Sequence, residues 1–237
     1  MIPLHEKLDT NQLYITVDLL ILTVKEEHLN ILLSKRTQSP YAHLWALPGR
    51  FVEINESAET TAKRLMDELF PLKDVYMEQL YTFTEVNRDP RGRVISVTYL
   101  VIVPFVQLNQ LLMEEGTICH CFEIQLKEDF QLIGEDGTKL IGSDLAFDHS
   151  RIIETGIARL QGKIDYTEIG FRFLNNPMCF SLGELQSIYE AVLGKPEDGS
   201  NFRRFIRKRY EETRRILPLD REERKRRGRP AVLYRLT

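Results

Sequence analysis

Residues 44–70 read Leu-Trp-Ala-Leu-Pro-Gly-Arg-Phe-Val-Glu-Ile-Asn-Glu-Ser-Ala-Glu-Thr-Thr-Ala-Lys-Arg-Leu-Met-Asp-Glu-Leu-Phe, a loop that runs directly into a helix. Ala58, Thr61, Ala62, Leu65 and Leu69 put small or apolar groups on one face at helical spacing. Ser57 stands where a helix would open. No acid follows at the third helical position, so the expected start carries a margin of a residue or two. Positions 65, 68 and 69 share about one turn, and carboxylates at all three would converge on one cation. Only Glu68 is a carboxylate; Leu65 and Leu69 offer no oxygen. Mg²⁺ wants octahedral oxygen ligation, so this turn is expected to hold no metal. Glu68, with Arg64 four residues before it, reads as a bracing carboxylate rather than a catalytic one.

The segment resembles the Nudix box, whose pattern is Gly, five residues, Glu, seven residues, then Arg-Glu-apolar-any-Glu-Glu-any-Gly. On that register Glu56, Arg64 and Glu68 match, whereas Arg50 replaces the first Gly, Leu65 and Leu69 replace two Glu, and Pro71 replaces the last Gly. The box works by gathering carboxylates around Mg²⁺. The resemblance therefore implies the Nudix fold with impaired hydrolysis, no catalytic residue and no cofactor. The competing reading is a hydrolase of a nucleoside diphosphate sugar such as ADP-ribose, carried by Glu56 and Glu68 with Mg²⁺ and ligands outside the box.

At 237 residues the chain has room for two domains. It contains no run of eighteen apolar residues, so no membrane-spanning helix is expected. Met1–Gln12 lacks an apolar signal core, and three cysteines make no disulfide framework; both point to a reducing cytoplasm. The net charge of −3 hides an asymmetry. Residues 178–237 carry 15 Lys/Arg against 9 Asp/Glu, and residues 201–229 carry 13 against 5. An acidic body joined to a basic tail predicts that the tail meets a polyanion.

Tyr14–Val24 and Leu29–Lys35 read as a strand pair, and Val75–Val86 and Arg93–Val106 as two further strands joined by a turn over 87–92. Gln107–Gly116 reads as a poorly patterned connection, and Cys119–Ile124 and Phe130–Ile133 as short strands. Ile152, Ile153, Ile157 and Leu160 form a helical stripe within Phe147–Gly162. The expected class is α+β, with a Nudix-like α/β/α sandwich over 1–165. Asp165–Cys179 breaks pattern and reads as a junction to a second domain, 178–237.

There Ser181 and Glu184 make a capping-box match for a helix with stripe Leu182, Leu185, Ile188, Tyr189 and Val192, stopped by Gly194. A second helix, expected over Asn201–Glu212 and capped by Ser200 or Asn201, sets Phe202, Phe205, Ile206 and Tyr210 against a basic face. Strand-like Ile216-Leu217 and Ala231–Leu236 flank a basic tip. Helix, turn, basic helix and hairpin form the winged helix-turn-helix pattern. Its second helix enters the major groove, where Arg bonds guanine edges and other basic groups hold phosphates. Asn201, Arg203, Arg204, Arg207 and Lys208 are the candidate contacts on the helix, and Arg226, Arg227 and Arg229 at the tip. Arg229 lies in an Arg-Gly-Arg-Pro run that resembles the AT-hook core.

Taken whole, the chain resembles the Nudix-related transcriptional regulators of the NrtR type. The resemblance rests on the altered box, Ala146-Phe147-Asp148-His149, Phe180–Gln186, Asn201-Phe202-Arg203-Arg204 and Gly228-Arg229-Pro230-Ala231 followed by Leu233-Tyr234. It covers residues 13–237 except 106–142. It implies a homodimer on a palindromic double-stranded DNA operator, with a Nudix domain that senses a small molecule: ADP-ribose in the branch that governs NAD metabolism, a sugar in others. Arg36, Arg50, Glu53, Glu56, Arg64, Glu68, Asp89, Asp148 and His149 are the polar residues expected around the effector cleft. Arg50 either meets a phosphate or carbohydrate oxygen directly, or pairs with Glu53 or Glu56 as a brace. His149 reads as a helix-start anchor, and Cys119-His120-Cys121 as core packing rather than a metal site.

Overall fold

The computed structural model describes residue 9 and residues 11–72, 75–113, 118–126, 130–223 and 231–237. The elements run β1 (Tyr14–Lys25), β2 (His28–Lys35), β3 (Trp45–Ala46), β4 (Gly49–Phe51), α1 (Ala58–Leu69), β5 (Tyr76–Phe83), β6 (Val94–Ile102), α2 (Phe105–Leu112), β7 (Cys119–Gln125), β8 (Gln131–Gly134), β9 (Lys139–Leu140), α3 (His149–Ile164), β10 (Phe180–Ser181), α4 (Leu182–Leu193), α5 (Gly199–Ile206), β11 (Ile216–Glu223) and β12 (Ala231–Leu236).

The continuous apolar run of β1 has a direct cause: the strand is covered on both faces. It pairs in parallel with β6 and antiparallel with β2 and β4, within a sheet ordered β5-β6-β1-β2-β7-β8-β9. Alternate side chains go to opposite layers. Val17, Leu19 and Ile21 pack with Leu65 and Met66 of α1, whereas Leu20 and Leu22 pack with Ile152, Ile153 and Ile157 of α3. This is the expected α/β/α sandwich. A Cβ on Gly156 of α3 would stand 2.0 Å from a methyl of Leu20, so this glycine lets the helix lie against the sheet. Ser57 caps α1 by accepting from the Thr60 amide at 3.0 Å, which places the helix start as expected. The expected connection over Gln107–Gly116 is in part helix: α2 packs Leu108 under the sheet. Cys119 and Cys121 share one buried face, and burial pushes their thiols up to about 11 and about 12.

In the second unit Ser181 caps α4, accepting from the Glu184 amide at 3.1 Å, and Gly194 ends it at φ 67°. The cap of α5 is Asp198, which accepts from the Asn201 amide at 2.8 Å, and not Ser200 or Asn201 as expected. The second helix is also not uniform: α5 gives way to a π-helical turn over Arg207–Glu211. β11 extends well beyond Ile216-Leu217 and pairs with β12, which also pairs with β10.

The junction is packed rather than open. A 3₁₀ turn over Ile169–Phe173 buries Ile169, Phe171 and Phe173 in a core that continues through Tyr189, Phe202 and Tyr210. Broken periodicity there reflects short irregular structure, which leaves no helix or strand signature. The end of α3 is tied to the second unit by hydrogen bonds. Tyr189 donates its hydroxyl to the Ile164 carbonyl at 3.0 Å, Tyr210 to that of Thr167 at 2.7 Å, and Arg209 bonds the Tyr166 carbonyl. Arg215 makes two bonds to Glu168, at 2.6 and 2.7 Å. Among the described residues no helix is long and apolar enough to cross a membrane.

Candidate functional site

The loop between β3 and β4, the end of β2 and the inner face of α1 enclose a cleft of about 370 Å³. Leu65 and Leu69, the positions where the Nudix pattern has Glu, form its apolar wall. Lys35, Arg36 and Arg50 also line it, and no described carboxylate does. The cleft is therefore cationic, and its size lies at the lower end of the usual range for small-ligand sites. Arg36 is held by bonds to the carbonyls of Pro40 (2.8 Å) and Gln38 (3.3 Å), and its guanidinium lies 4.9 Å from the ring centre of Phe147. Phe147 adopts φ 55°, a conformation that costs a bulky residue about 1–2 kcal/mol. It points the ring between Arg36 and Tyr41.

Beside the cleft runs a chain of ion pairs. Arg64 bonds both oxygens of Glu56 at 2.8 and 2.7 Å, and Thr61 adds a third bond at 2.9 Å. The Arg64 bonds, then that of Thr61, hold the Glu56 carboxyl below the usual range. Arg64 also reaches one oxygen of Glu68 at 3.1 Å, while Arg50 takes the other. Arg50 thus pairs with Glu68 and not with Glu53 or Glu56. Glu53 sits at the outer end, half-exposed and 3.8 Å from Arg64. The donor set does not fit Mg²⁺: the two surviving box carboxylates have all four oxygens committed to guanidinium groups, and leucines hold the adjacent positions. Among the described residues no three His, Cys, Asp or Glu come together in a way that could hold a metal.

Asp89, Asp148 and His149 were expected around the cleft. The structure places them instead in buried networks behind it. Arg88, with only 3% of its side chain exposed, makes two bonds to Asp148, at 3.1 and 2.7 Å, and lies 3.6 Å from Asp18. Ser96 donates to Asp18, and His149 Nε2 is 3.8 Å from the same carboxylate. His149 Nδ1 accepts from the Leu47 amide at 2.9 Å, which leaves the ring proton on Nε2 facing Asp18. Burial, more than any neighbouring charge, pushes this imidazole below its usual value. His149 is thus the helix-start anchor foreseen, and it also holds the cleft loop. Asp18 presses on the same loop: a Cβ on Gly49 would lie 2.2 Å from Asp18 Oδ1. Asp89 is paired with Arg91 at 2.6 Å, and Arg91 packs on the rings of Phe51 and Phe147.

Sequence reading missed Asp18, Arg88, Arg91 and Ser96. They come from two central strands and from the segment 87–92, read by composition only as a turn, and no local spacing relates them. A lone Asp in the apolar run of β1 was the available signal, since an unpaired buried charge is costly.

The basic face of the second unit is assembled as expected. Phe202, Ile206 and Tyr210 are buried, which turns Asn201, Arg203, Arg204, Arg207 and Lys208 outward. Arg204 is steadied by a 2.8 Å bond to Asn201. Arg226, Arg227 and Arg229 lie outside the described residues.

Comparison with known proteins agrees with both halves of this architecture. A family model described as the NUDIX domain matches residues 13–128, and one described as the NrtR DNA-binding winged helix domain matches residues 170–236. The chain is 33% identical over 203 residues to the ADPR responsive transcriptional repressor NtrR of Acinetobacter baylyi, covering 84% of this chain and 74% of that protein. The crystal structure of Shewanella oneidensis NrtR complexed with a 27mer DNA is similar at TM-score 0.71 and 29% identity, covering 94% of this chain and 93% of that one. A MutT/nudix family protein from Enterococcus faecalis is similar at TM-score 0.73 and 26% identity, covering 100% of this chain and 89% of that one. A Nudix fold with an altered box, joined through a packed junction to a winged helix with a basic outer face, places this chain in the NrtR family.

Proposed function

We propose that the protein is a DNA-binding transcriptional repressor whose Nudix domain binds a nucleotide effector of the ADP-ribose type and does not hydrolyse it. The observation that carries the reading is the outward row Asn201, Arg203, Arg204, Arg207 and Lys208 on a winged helix, anchored from behind by Phe202, Ile206 and Tyr210. The names of its relatives, an ADPR responsive repressor and a DNA-bound NrtR, support the same reading. So does a cationic cleft whose box carboxylates are already paired with arginines. The protein acts in the cytoplasm as a homodimer on an inverted repeat, because a twofold dimer presents two recognition helices to matched half-sites.

Helix α3 joins the two sites. Its first residue, His149, and its cap, Asp148, hold the cleft loop and Arg88. Its last residue and the turn after it accept hydrogen bonds from Tyr189, Tyr210 and Arg209 of the winged helix. Movement of the loop on ligand binding would reach the DNA-binding unit along about 24 Å of helix. Fluorescence anisotropy of the full chain on DNA from upstream of its own gene, with and without ADP-ribose, tests the proposal. Saturable binding at low salt that ADP-ribose weakens is expected. Binding no tighter than to scrambled duplex would overturn the repressor assignment.

A further inference from the structure

Arg50 stands where the Nudix pattern has glycine, on the rim of a cleft that holds three cations and no described carboxylate. Its partner Glu68 divides its two oxygens between Arg50 and Arg64. The Arg50 and Glu68 side chains are 39% and 40% exposed, so water competes for both and the pair is weakly held. Arg64 is fixed separately by its paired bonds to Glu56. Glu68 therefore keeps a cation at 3.1 Å when Arg50 turns away from it. A guanidinium presents a planar fork that matches phosphate oxygens, and the leucine wall lowers the local dielectric and strengthens such contacts. Lys35 and Arg36 supply further positive charge to the cleft lining.

We propose that the cleft binds a diphosphate-bearing ligand without a divalent cation, with Arg50 exchanging Glu68 for the phosphate oxygens and so taking the place of the metal. The inference rests on the effector reading and specifies how that site recognises its ligand. Arg50 is then the group that answers ligand charge, and Glu68 is a built-in competitor for it. A purely bracing Arg50–Glu68 pair predicts something different: removing either partner would loosen the cleft and weaken binding alike.

Isothermal titration of the full chain with inorganic pyrophosphate and with ADP-ribose, each in EDTA and in excess Mg²⁺, separates these cases. Expected is binding of both probes in EDTA that Mg²⁺ does not tighten. Arg50→Ala should weaken it about tenfold or more, the loss of one charge-assisted contact. Glu68→Gln should tighten it a few-fold, a gain that a bracing role would not produce. Both variants should keep a single cooperative urea unfolding transition, which shows that they fold. A requirement for Mg²⁺, an unchanged affinity in Arg50→Ala, weaker binding in Glu68→Gln, or no binding of either probe in EDTA would overturn the proposal. Should pyrophosphate bind through Arg50 while ADP-ribose leaves DNA affinity untouched, the metal-free site stands and the effector assignment falls. Should ADP-ribose release DNA only with Mg²⁺, the reverse holds.

Discussion

Arg88 is the sharpest structural test of the buried network, because a single cation there faces two carboxylates. Its side chain is 3% exposed, and those of Asp18 and Asp148 are 9% and 16% exposed. Arg88→Met keeps most of the volume and removes the charge, stranding both acids. Breaking a buried pair by removing one partner costs about 3–5 kcal/mol. Asp148 retains some contact with water, so the lower end, about 3 kcal/mol, is expected. At about 2–4 °C per kcal/mol for a protein of this size, the melting temperature should fall by roughly 6–12 °C. The assay is urea unfolding of Arg88→Met beside Arg88→Met combined with Asp18→Asn and Asp148→Asn. The triple variant carries no stranded charge and should regain at least half of the loss, a non-additivity expected only of groups in one network. A loss under about 1 kcal/mol in Arg88→Met, or a triple variant less stable than the single, would refute the reasoning.

Arg203→Ala or Arg204→Ala should lower specific DNA affinity by about 1–3 kcal/mol. Arg227→Ala and Arg229→Ala should instead weaken binding across sequences and flatten the salt dependence, as titrations at two salt concentrations would reveal. His149, buried with its ionisation shifted down from 6.5, binds a proton more readily in the unfolded chain. Its contribution to stability is therefore complete above about pH 6.5 and is lost as pH falls below it; His149→Gln should flatten the urea midpoint over that window. Gly49→Ala should cost about 1–3 kcal/mol through overpacking against Asp18. It should also weaken ADP-ribose binding by displacing the cleft loop, measurable as a smaller thermal shift. Mg²⁺-dependent cleavage of ADP-ribose should stay well below about 1 s⁻¹ in a direct product assay, since Leu65 and Leu69 cannot bind metal.

The periodic features of this protein were legible along the chain. The apolar run of β1, the stripe of α1, the Ser181 cap with the stripe of α4, and the aromatic–arginine alternation of α5 each depend on neighbours within a few residues. Local sequence therefore determined the sandwich and the winged helix, and with them the outward row from Asn201 to Lys208. The same local reading foresaw the Arg64–Glu68 pair, because four residues is one helical turn. It offered Glu53 or Glu56 as the brace for Arg50, whereas the partner is Glu68, because Arg50 and Glu68 meet only once β4 is laid against β1 and α1 packs over the sheet. It placed Asp89, Asp148 and His149 at the cleft, whereas packing drew them into networks behind it. Asp18, Arg88 and Ser96 passed unnoticed because their relation is one of space alone: strand pairing brings Asp18 beside Thr98 and close to Ser96, and folding of the turn brings Arg88 above them. A charge buried in a sheet finds its counter-charge through tertiary packing, at sequence separations that no pattern of spacing encodes.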